Sequence, residues 1–451
     1  MKVKEIIKIT KGELLSGSPE ADIDPSRIST DSRTISRGGF FIALDGPNFD
    51  GNDFVKDAFG KGAGGVLVKR LIARPIDPTK IIIKVRDTTK ALQDIAASHR
   101  KDYNIPVIAV TGSNGKTTAK EMVWRILSAR YKVLKNEGTK NNHIGVPQTL
   151  LKLNRRHDIC VLELGMNHKG EIKLLGDMVK PTIAVITNIG PSHLEFLEGL
   201  DGVCEAKKEI LGSLDKRKGV AILNGDDEFL SRVKAKGFKV FRFGFNETND
   251  FKASEVIVGK NKLKFMLNDA DRFQLNLLGM HNIYNALAAI AVASQFKINP
   301  RLMKKALFNY KPSYMRLNIR RMNGIDIIND SYNSNPSSMA RALEALKYYP
   351  ARTRWVVSGD MMELGRQAAY FHKIIGHDVA RSNVEGLLTF GKLSRYTLSQ
   401  AKESGMKKGR LWHCSTHAEI ANILRRVAKR GDVVLLKGSR AMKMEEVLNK
   451  L

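Results

Sequence analysis

Val107-Ile108-Ala109-Val110-Thr111-Gly112-Ser113-Asn114-Gly115-Lys116-Thr117-Thr118 is the stretch on which the reading of this chain turns. Val107 to Val110 form an unbroken apolar run, as expected of a strand buried on both faces of a parallel sheet. Gly112 to Thr117 interrupt the run, and Met122, Val123, Ile126 and Leu127 recur at helical spacing beyond it. Strand, glycine-bearing turn and helix in that order make a phosphate loop. Its glycines let the backbone turn tightly, so that N–H groups point at phosphate oxygens. The helix N-terminus adds a partial positive charge. Lys116 is placed to reach the β- and γ-phosphates of a nucleotide, and the Thr117 hydroxyl to bind Mg²⁺. The spacing, Gly-x-x-Gly-Lys-Thr, is two residues shorter than the usual Gly-x-x-x-x-Gly-Lys-Ser/Thr loop.

The same alternation continues outward from the loop. Cys160-Val161-Leu162 and Ile183-Ala184-Val185-Ile186 are further short apolar runs with helical patterns between them, which predicts right-handed βαβ units. A helix from about Thr89 to Tyr103 precedes the loop and enters it through Pro106. Before that lie the turn Arg37-Gly38-Gly39, a strand Phe40 to Leu44, and a loop Asp45 to Asn52 rich in Gly, Pro, Asn and Asp. Residues 219–280 are richer in strand, with Val240 to Phe245 and Lys262 to Met266 as examples, and a helix with a small-residue face, Asn282 to Ser294, follows. Past Pro312 a second α/β pattern sets strands at Trp355 to Val357, Gly386 to Leu388 and Val433 to Leu436. The pattern predicts an α/β protein of three domains, 1–86, 87–312 and 313–451. A length of 451 residues agrees with that count at about 150 residues per domain.

Composition narrows the function classes. Hydrophobic residues make up 43% and charged residues 27%, enough to build cores and unlike a disordered chain. No segment approaches the roughly 18 uninterrupted apolar residues of a membrane span, and Met1 to Thr10 lack the apolar centre of a signal peptide. Neither secretion nor membrane insertion is expected. The three cysteines, Cys160, Cys204 and Cys414, form no Cys-x-x-Cys pair, so a reducing cytoplasm is the natural compartment. The formal charge of +29 favours anionic partners. It is spread along the chain rather than blocked, and a generally basic surface accounts for it.

A series of short motifs follows the loop. They are Asn141-Asn142-His143-Ile144-Gly145-Val146-Pro147, Glu163-Leu164-Gly165-Met166-Asn167, Thr187-Asn188-Ile189-Gly190, Ser192-His193-Leu194-Glu195 and Ala206-Lys207-Lys208-Glu209. Gly279-Met280-His281-Asn282-Ile283-Tyr284-Asn285-Ala286 and Asp330-Ser331-Tyr332-Asn333-Ser334-Asn335-Pro336 come next. With the short phosphate loop, these resemble the Mur ligases, ATP-dependent amide-bond-forming enzymes of peptidoglycan synthesis, over essentially the whole chain. Asn141 to Pro147, Asp330 to Pro336, Gly359 to Gly365 and Leu436 to Arg440 are most similar to the family member that joins D-alanyl-D-alanine to UDP-N-acetylmuramoyl-tripeptide. Ser29 to Arg33 and Phe49-Asp50-Gly51 resemble that member's uridine-nucleotide-binding domain. Two positions depart from its pattern: Gly39 stands where an acidic residue is more usual, and Asn52 where His is common.

The resemblance implies a small N-terminal α/β UDP-binding domain, a central P-loop-type parallel sheet domain and a C-terminal Rossmann-like α/β domain. It implies that ATP phosphorylates the tripeptide's terminal carboxylate, and that the dipeptide amine displaces phosphate from the acyl phosphate. Gly112, Ser113, Asn114, Gly115, Lys116, Thr117 and Thr118 would hold the phosphates. His281, Asn282, Asn285, Arg316 and Asp330 would contact other parts of ATP, with Arg316 reaching the γ-phosphate when the third domain closes. Thr117 and Glu163 would ligate one Mg²⁺ and His193 a second. Physical chemistry alone would not nominate an imidazole for so hard an ion. Lys207 matches the lysine that the family carries as a carbamate, whose oxygens bridge to metal. Thr30, Asp31, Ser32, Arg33, Asn141, Asn142, Asn333, Asn335 and Lys437 are the substrate-binding candidates, and Asp360 and Glu363 are placed near the peptides. Lys116, His193, Lys207 and Arg316 are the catalytic set. A cytoplasmic monomer serving cell-wall synthesis, with no specific nucleic-acid partner, is expected. The competing readings are a sister Mur ligase or folylpolyglutamate synthetase, and, from another class, a P-loop nucleic-acid-binding protein. No RRM, KH or zinc-finger signature supports the last.

Overall fold

A computed structural model describes residues 1–70 and 77–451. The chain builds three main sheets in sequence order. The first runs, edge to edge, Glu13–Ser16, Ile81–Lys84, Gly65–Val68, Phe40–Ile42 and Ile28–Ser29. The second has nine strands. Its parallel part is ordered Phe251–Gly259, Lys239–Gly244, Val220–Asn224, Ile183–Ile186, Val107–Thr111, Ile159–Glu163 and Val133–Lys135. Lys262–Leu267 and Asp271–Leu275 extend it antiparallel. The third is ordered Asn318–Met322, Ile325–Asp330, Val433–Lys437, Arg354–Gly359, Gly386–Phe390 and Leu411–Cys414, parallel except for its first pair.

Each apolar run in the sequence becomes a strand because helices cover both faces of the sheet. Every residue of Val107–Thr111, Ile159–Glu163 and Ile183–Ile186 is buried. A fully buried Val, Leu or Ile contributes about 1.5–3 kcal/mol, so a register slip in these strands would be costly. The helix His281–Gln295 is apolar on nearly every side, with Ile283 and every residue from Asn285 to Ala293 buried. Its alanines let it pack closely on the phosphate-loop helix Lys116–Leu127. This packing fixes the loop against the sheet from the side opposite the strands.

The central parallel strands end together. Glu163 pairs in register with Val110, and Ile186 with Thr111. Val107–Thr111 therefore sits between two neighbours whose following loops open the crevice in which open α/β sheets bind ligands. The third sheet turns its own carboxyl edge to the same crevice, with Asp330 in register with Lys437. Among the described residues, no helix is long and apolar enough to cross a membrane.

Candidate active site

One cavity, of about 230 Å³, lies between the central and third sheets. The phosphate loop forms its floor. Gly112 has a φ of +139°, and a Cβ there would fall 2.0 Å from the Thr187 hydroxyl. At Gly115, φ is +82° and a Cβ would meet Asn285 Oδ1 at 2.3 Å. Only glycine meets both demands, the left-handed backbone and the close approach. The loop is braced by the Thr187–Gly190 segment. Ser113 N–H donates to Asn188 O (2.9 Å), Asn114 N–H to Asn188 Oδ1 (3.0 Å), and the Ser113 hydroxyl to Gly190 O (2.9 Å). Lys116 folds back on its own loop, donating to the carbonyls of Gly112 (2.9 Å) and Ser113 (3.2 Å). Burial pushes its ammonium pKa down; Glu163 opposes that shift and Arg316 adds to it.

Glu163 is held from three directions. The Thr117 hydroxyl donates to its Oε2 at 2.7 Å, and Asn141 Nδ2 donates to Oε1 at 2.7 Å. Its backbone is clamped by the fully buried Asn136, which accepts from Glu163 N–H and donates to Glu163 O, each at 2.9 Å. Among the described residues no three His, Cys, Asp or Glu side chains gather into a cation cage. A hydroxyl and a carboxylate side by side fit Mg²⁺ nonetheless, because that ion commonly takes one or two carboxylates and completes its shell with water and substrate phosphates. His193 also lines the cavity and sits at φ +54°. Its Nδ1 lies 2.7 Å from Glu363 Oε2, on the third-sheet side, although the ring N–H is not aligned for a hydrogen bond. That proximity holds the Glu363 carboxyl below its usual range.

The third sheet supplies the roof. Lys437 Nζ donates to Asp330 Oδ2 and, at 3.0 Å, to Asn333 O. Arg316 lies over the Tyr332 ring, 4.0 Å from its centroid. Asn335 caps the helix Pro336–Tyr348 by accepting from Ser338 N–H (2.8 Å), and its Nδ2 donates to Asn114 Oδ1 of the phosphate loop (3.0 Å). Beside the phosphate loop, Asn285 donates to Asn282 Oδ1 (3.0 Å), and Asn282 to Leu278 O (2.6 Å). These amides bond along the helix rather than cap it. Three cavity residues keep a buried nitrogen with no hydrogen-bond partner, Asn114 Nδ2, His193 Nδ1 and His281 Nδ1. Such orphans cost about 1–3 kcal/mol each, and a bound nucleotide would supply their partners. Burial, with Arg341 and Lys437 adding to it, lowers the His281 pKa to about 3.

Family models match residues 26–100 (Mur ligase family, catalytic domain), 110–293 (Mur ligase middle domain) and 315–440 (Mur ligase, glutamate ligase domain). The UDP-N-acetylmuramoyl-tripeptide--D-alanyl-D-alanine ligase of Bacillus subtilis is 37% identical, covering 100% of this chain and 98% of that protein. The chain belongs to the Mur ligase family. The enzyme of the same name from Escherichia coli is 36% identical, again over 100% of this chain and 98% of its own length. Among solved structures, MurF from Acinetobacter baumannii superposes with a TM-score of 0.90 at 33% identity, covering 100% of this chain and 98% of that one. MurF ligase from Thermotoga maritima, solved in complex with ADP, superposes with a TM-score of 0.84 at 26% identity, over 95% of this chain and 98% of the other. The fold expectation, a three-domain α/β Mur ligase, is met.

Within this Mur ligase, Ser113 to Thr118, Asn141, Glu163, His193, His281, Asn282, Asn285, Arg316, Asp330, Asn333, Asn335 and Lys437 all line the one cavity. Others do not. The exposed Asn142 turns its carboxamide to the helix Gly145–Leu150, accepting from the N–H groups of Ile144 (3.2 Å) and Gly145 (2.9 Å), a cap rather than a cavity contact. Thr30, Asp31, Ser32 and Arg33 lie in the first unit, away from the cavity. Arg33 pairs with Asp31 at 2.8 Å and holds its carboxyl down to about 2. Thr30 is tied to the central unit by Gln148 Nε2 at 2.5 Å. Gly39 has no room for an acidic side chain, since a Cβ would meet Ser36 O at 2.9 Å. Asn52 is used inside its loop, donating from backbone and side chain to Asp50 Oδ1 at 2.8 and 2.6 Å. Asp360 likewise serves the fold, accepting from Ser394 N–H at 2.7 Å. Lys207 is just outside the cavity and only 2% exposed; burial drives its pKa well down, and the Lys116 charge adds to that. Asn136 and Arg341 are not marked by the sequence, since a lone Asn or Arg carries no spacing signal, and Tyr332 is marked only as a member of the Asp330 to Pro336 motif.

Proposed function

We propose that this Mur ligase joins D-alanyl-D-alanine to UDP-N-acetylmuramoyl-tripeptide at the expense of ATP, completing the UDP-muramyl-pentapeptide precursor of peptidoglycan. The observation that carries this reading is the convergence of a phosphate loop, the Thr117–Glu163 oxygen pair and the Arg316–Lys437 cations on one cavity between two sheets, in a chain so similar to full-length relatives of that name.

Two polyanions, ATP and a peptide carboxylate, have to meet for the reaction to start. Lys116 and the N-terminus of its helix take the phosphates. Arg316, stacked on Tyr332, is aimed to offset charge on the transferring phosphoryl group. Thr117 and Glu163 would hold one Mg²⁺ and His193 a second; bound there, the ions would shield the two anions from each other and polarise the γ-phosphate. Burial lowers the Lys207 pKa and so favours the neutral amine, the form that adds CO₂ to give a carbamate and releases a proton. The anion so formed would replace an ammonium that the site disfavours and offer oxygen to metal. Asn333, Asn335 and Lys437 would meet the peptide substrates, and Ser29 to Arg33 the uridine nucleotide. Roof and floor from different domains, divided at 1–86, 87–312 and 313–451, allow water to be shut out from the acyl phosphate. We place the reaction in the cytoplasm, carried out by a monomer.

The test is an ADP-release assay with UDP-muramyl-tripeptide, D-alanyl-D-alanine and ATP, leaving out one reactant at a time. Release that needs all three is the expected result. Release that needs a folate and glutamate instead would overturn the assignment, and ATP hydrolysis indifferent to all of them would point to the nucleic-acid-binding class.

A further inference from the structure

Arg341 is carried by the third-domain helix Pro336–Tyr348, on the face that also turns Asn335 and Ser338 to the cavity. Burial lowers its pKa, and although Tyr284, Glu344 and Asp227 are near enough to be felt, none of them gives it a hydrogen bond or an ion pair. Arg341 is half-buried; a guanidinium partly drawn from water, with no partner among the described residues, is unfavourable by itself, and a ligand that supplies one relieves the cost. Its place along the helix says which part of a ligand it would meet. Asn335 touches the phosphate loop at Asn114. Arg341 is six residues further on, about 9 Å along the axis at 1.5 Å per residue. Its backbone thus sits away from the Asn335–Asn114 contact, and it lines the cavity together with His281 and Asn282. The Arg341 charge reaches Tyr284 and, with that of Lys437, His281, whereas Lys116 senses Glu163 and Arg316.

We propose that Arg341 is a nucleoside-binding residue, whose planar guanidinium lies against the purine ring of the nucleotide held by the phosphate loop. Because the third domain brings it in, base recognition is coupled to closure. This rests on the reading of the cavity as an ATP site. A planar cation suits the face of an aromatic ring better than a compact ammonium does. Arg341 forms no part of the phosphate-binding set, so its loss spares phosphate affinity.

The test compares wild type with R341K, which keeps the charge but loses the plane, and R341M, which keeps only the stem. Titration calorimetry with Mg²⁺ present measures two probes, ADP and the base-free tripolyphosphate. ADP affinity is expected to fall several-fold in R341K and about tenfold in R341M, with tripolyphosphate within twofold of wild type in R341K. In turnover, KM for ATP rises in parallel while kcat holds. Should R341M fail to fold, R341K carries the comparison alone. Unchanged ADP affinity in the variants, or equal weakening of both probes in R341K, overturns the proposal while leaving the ATP site standing. A wild-type protein that binds tripolyphosphate but not ADP, or neither, overturns both.

Discussion

Lys207 is the residue whose chemistry departs furthest from its appearance in the sequence. Beside Lys208 it reads as an ordinary surface helical lysine, yet it is buried and its ammonium is strongly disfavoured. If the side chain works as a carbamate, Lys207→Ala should cut turnover by about 10–100-fold, the usual cost of disturbing a metal site's support. Short-chain carboxylic acids should restore part of it; loss of activity with no rescue at any acid concentration would contradict the role. His281 offers a pH test with a definite sign. The ring protonates at about 3 in the fold against 6.5 when free. Between those values the unfolded chain binds the extra proton, so stability rises with pH. This contribution is complete above about pH 6.5 and is lost as pH falls toward 3. In urea titrations across that window, H281Q should show a shallower acid limb than wild type; identical limbs would argue against a buried neutral ring. Lys116, Thr117 and Glu163 were legible because each follows a strand in a motif. Asn136 and Arg341 were not, since only tertiary packing gives them their neighbours.

The elements themselves were largely written in the hydrophobic pattern. Strands at Val107–Thr111, Ile159–Glu163 and Ile183–Ile186 and the helix His281–Gln295 stand within a residue or two of where the apolar runs predicted them. The pattern worked because these segments are buried on all sides and have no polar face to blur the period. It was weaker at the antiparallel edge, where only Ala253 of Phe251–Gly259 is buried and Glu255 sits at φ +48°. It said nothing of the left-handed His193, which no spacing rule marks. The phosphate loop gives the sharpest prediction at this scale. Gly115→Ala combines about 1–2 kcal/mol of backbone strain with a collision against Asn285. The variant should melt at a lower temperature and show a raised KM for ATP. A variant with the melting temperature and KM of wild type would mean the loop is looser than its geometry.

Across the whole molecule, the third domain sits against the central one through few polar contacts among the described residues: Asn335 to Asn114, the Glu363–His193 pair, Glu195 N–H donating to Glu363 O at 3.3 Å, and the Lys260–Asp326 ion pair at 3.6 Å. Contacts so sparse favour a hinge rather than a fixed interface. Small-angle scattering should therefore show a smaller radius of gyration with ATP analogue and tripeptide nucleotide present than without, and N335A should lessen the change. A radius that ignores both ligands would count against closure. The formal charge of +29 is consistent with a site that collects polyanions, but the charge alone never singled out nucleotides over nucleic acid. That choice came from the order of the motifs.

The central claim is that the cavity turns a peptide carboxylate into an acyl phosphate before the amine attacks. Tripeptide nucleotide labelled with ¹⁸O in its terminal carboxylate tests it most directly, by mass spectrometry of the phosphate released on ligation. The account predicts one labelled oxygen in each phosphate and the other retained in the new amide. Unlabelled phosphate formed alongside pentapeptide would contradict it.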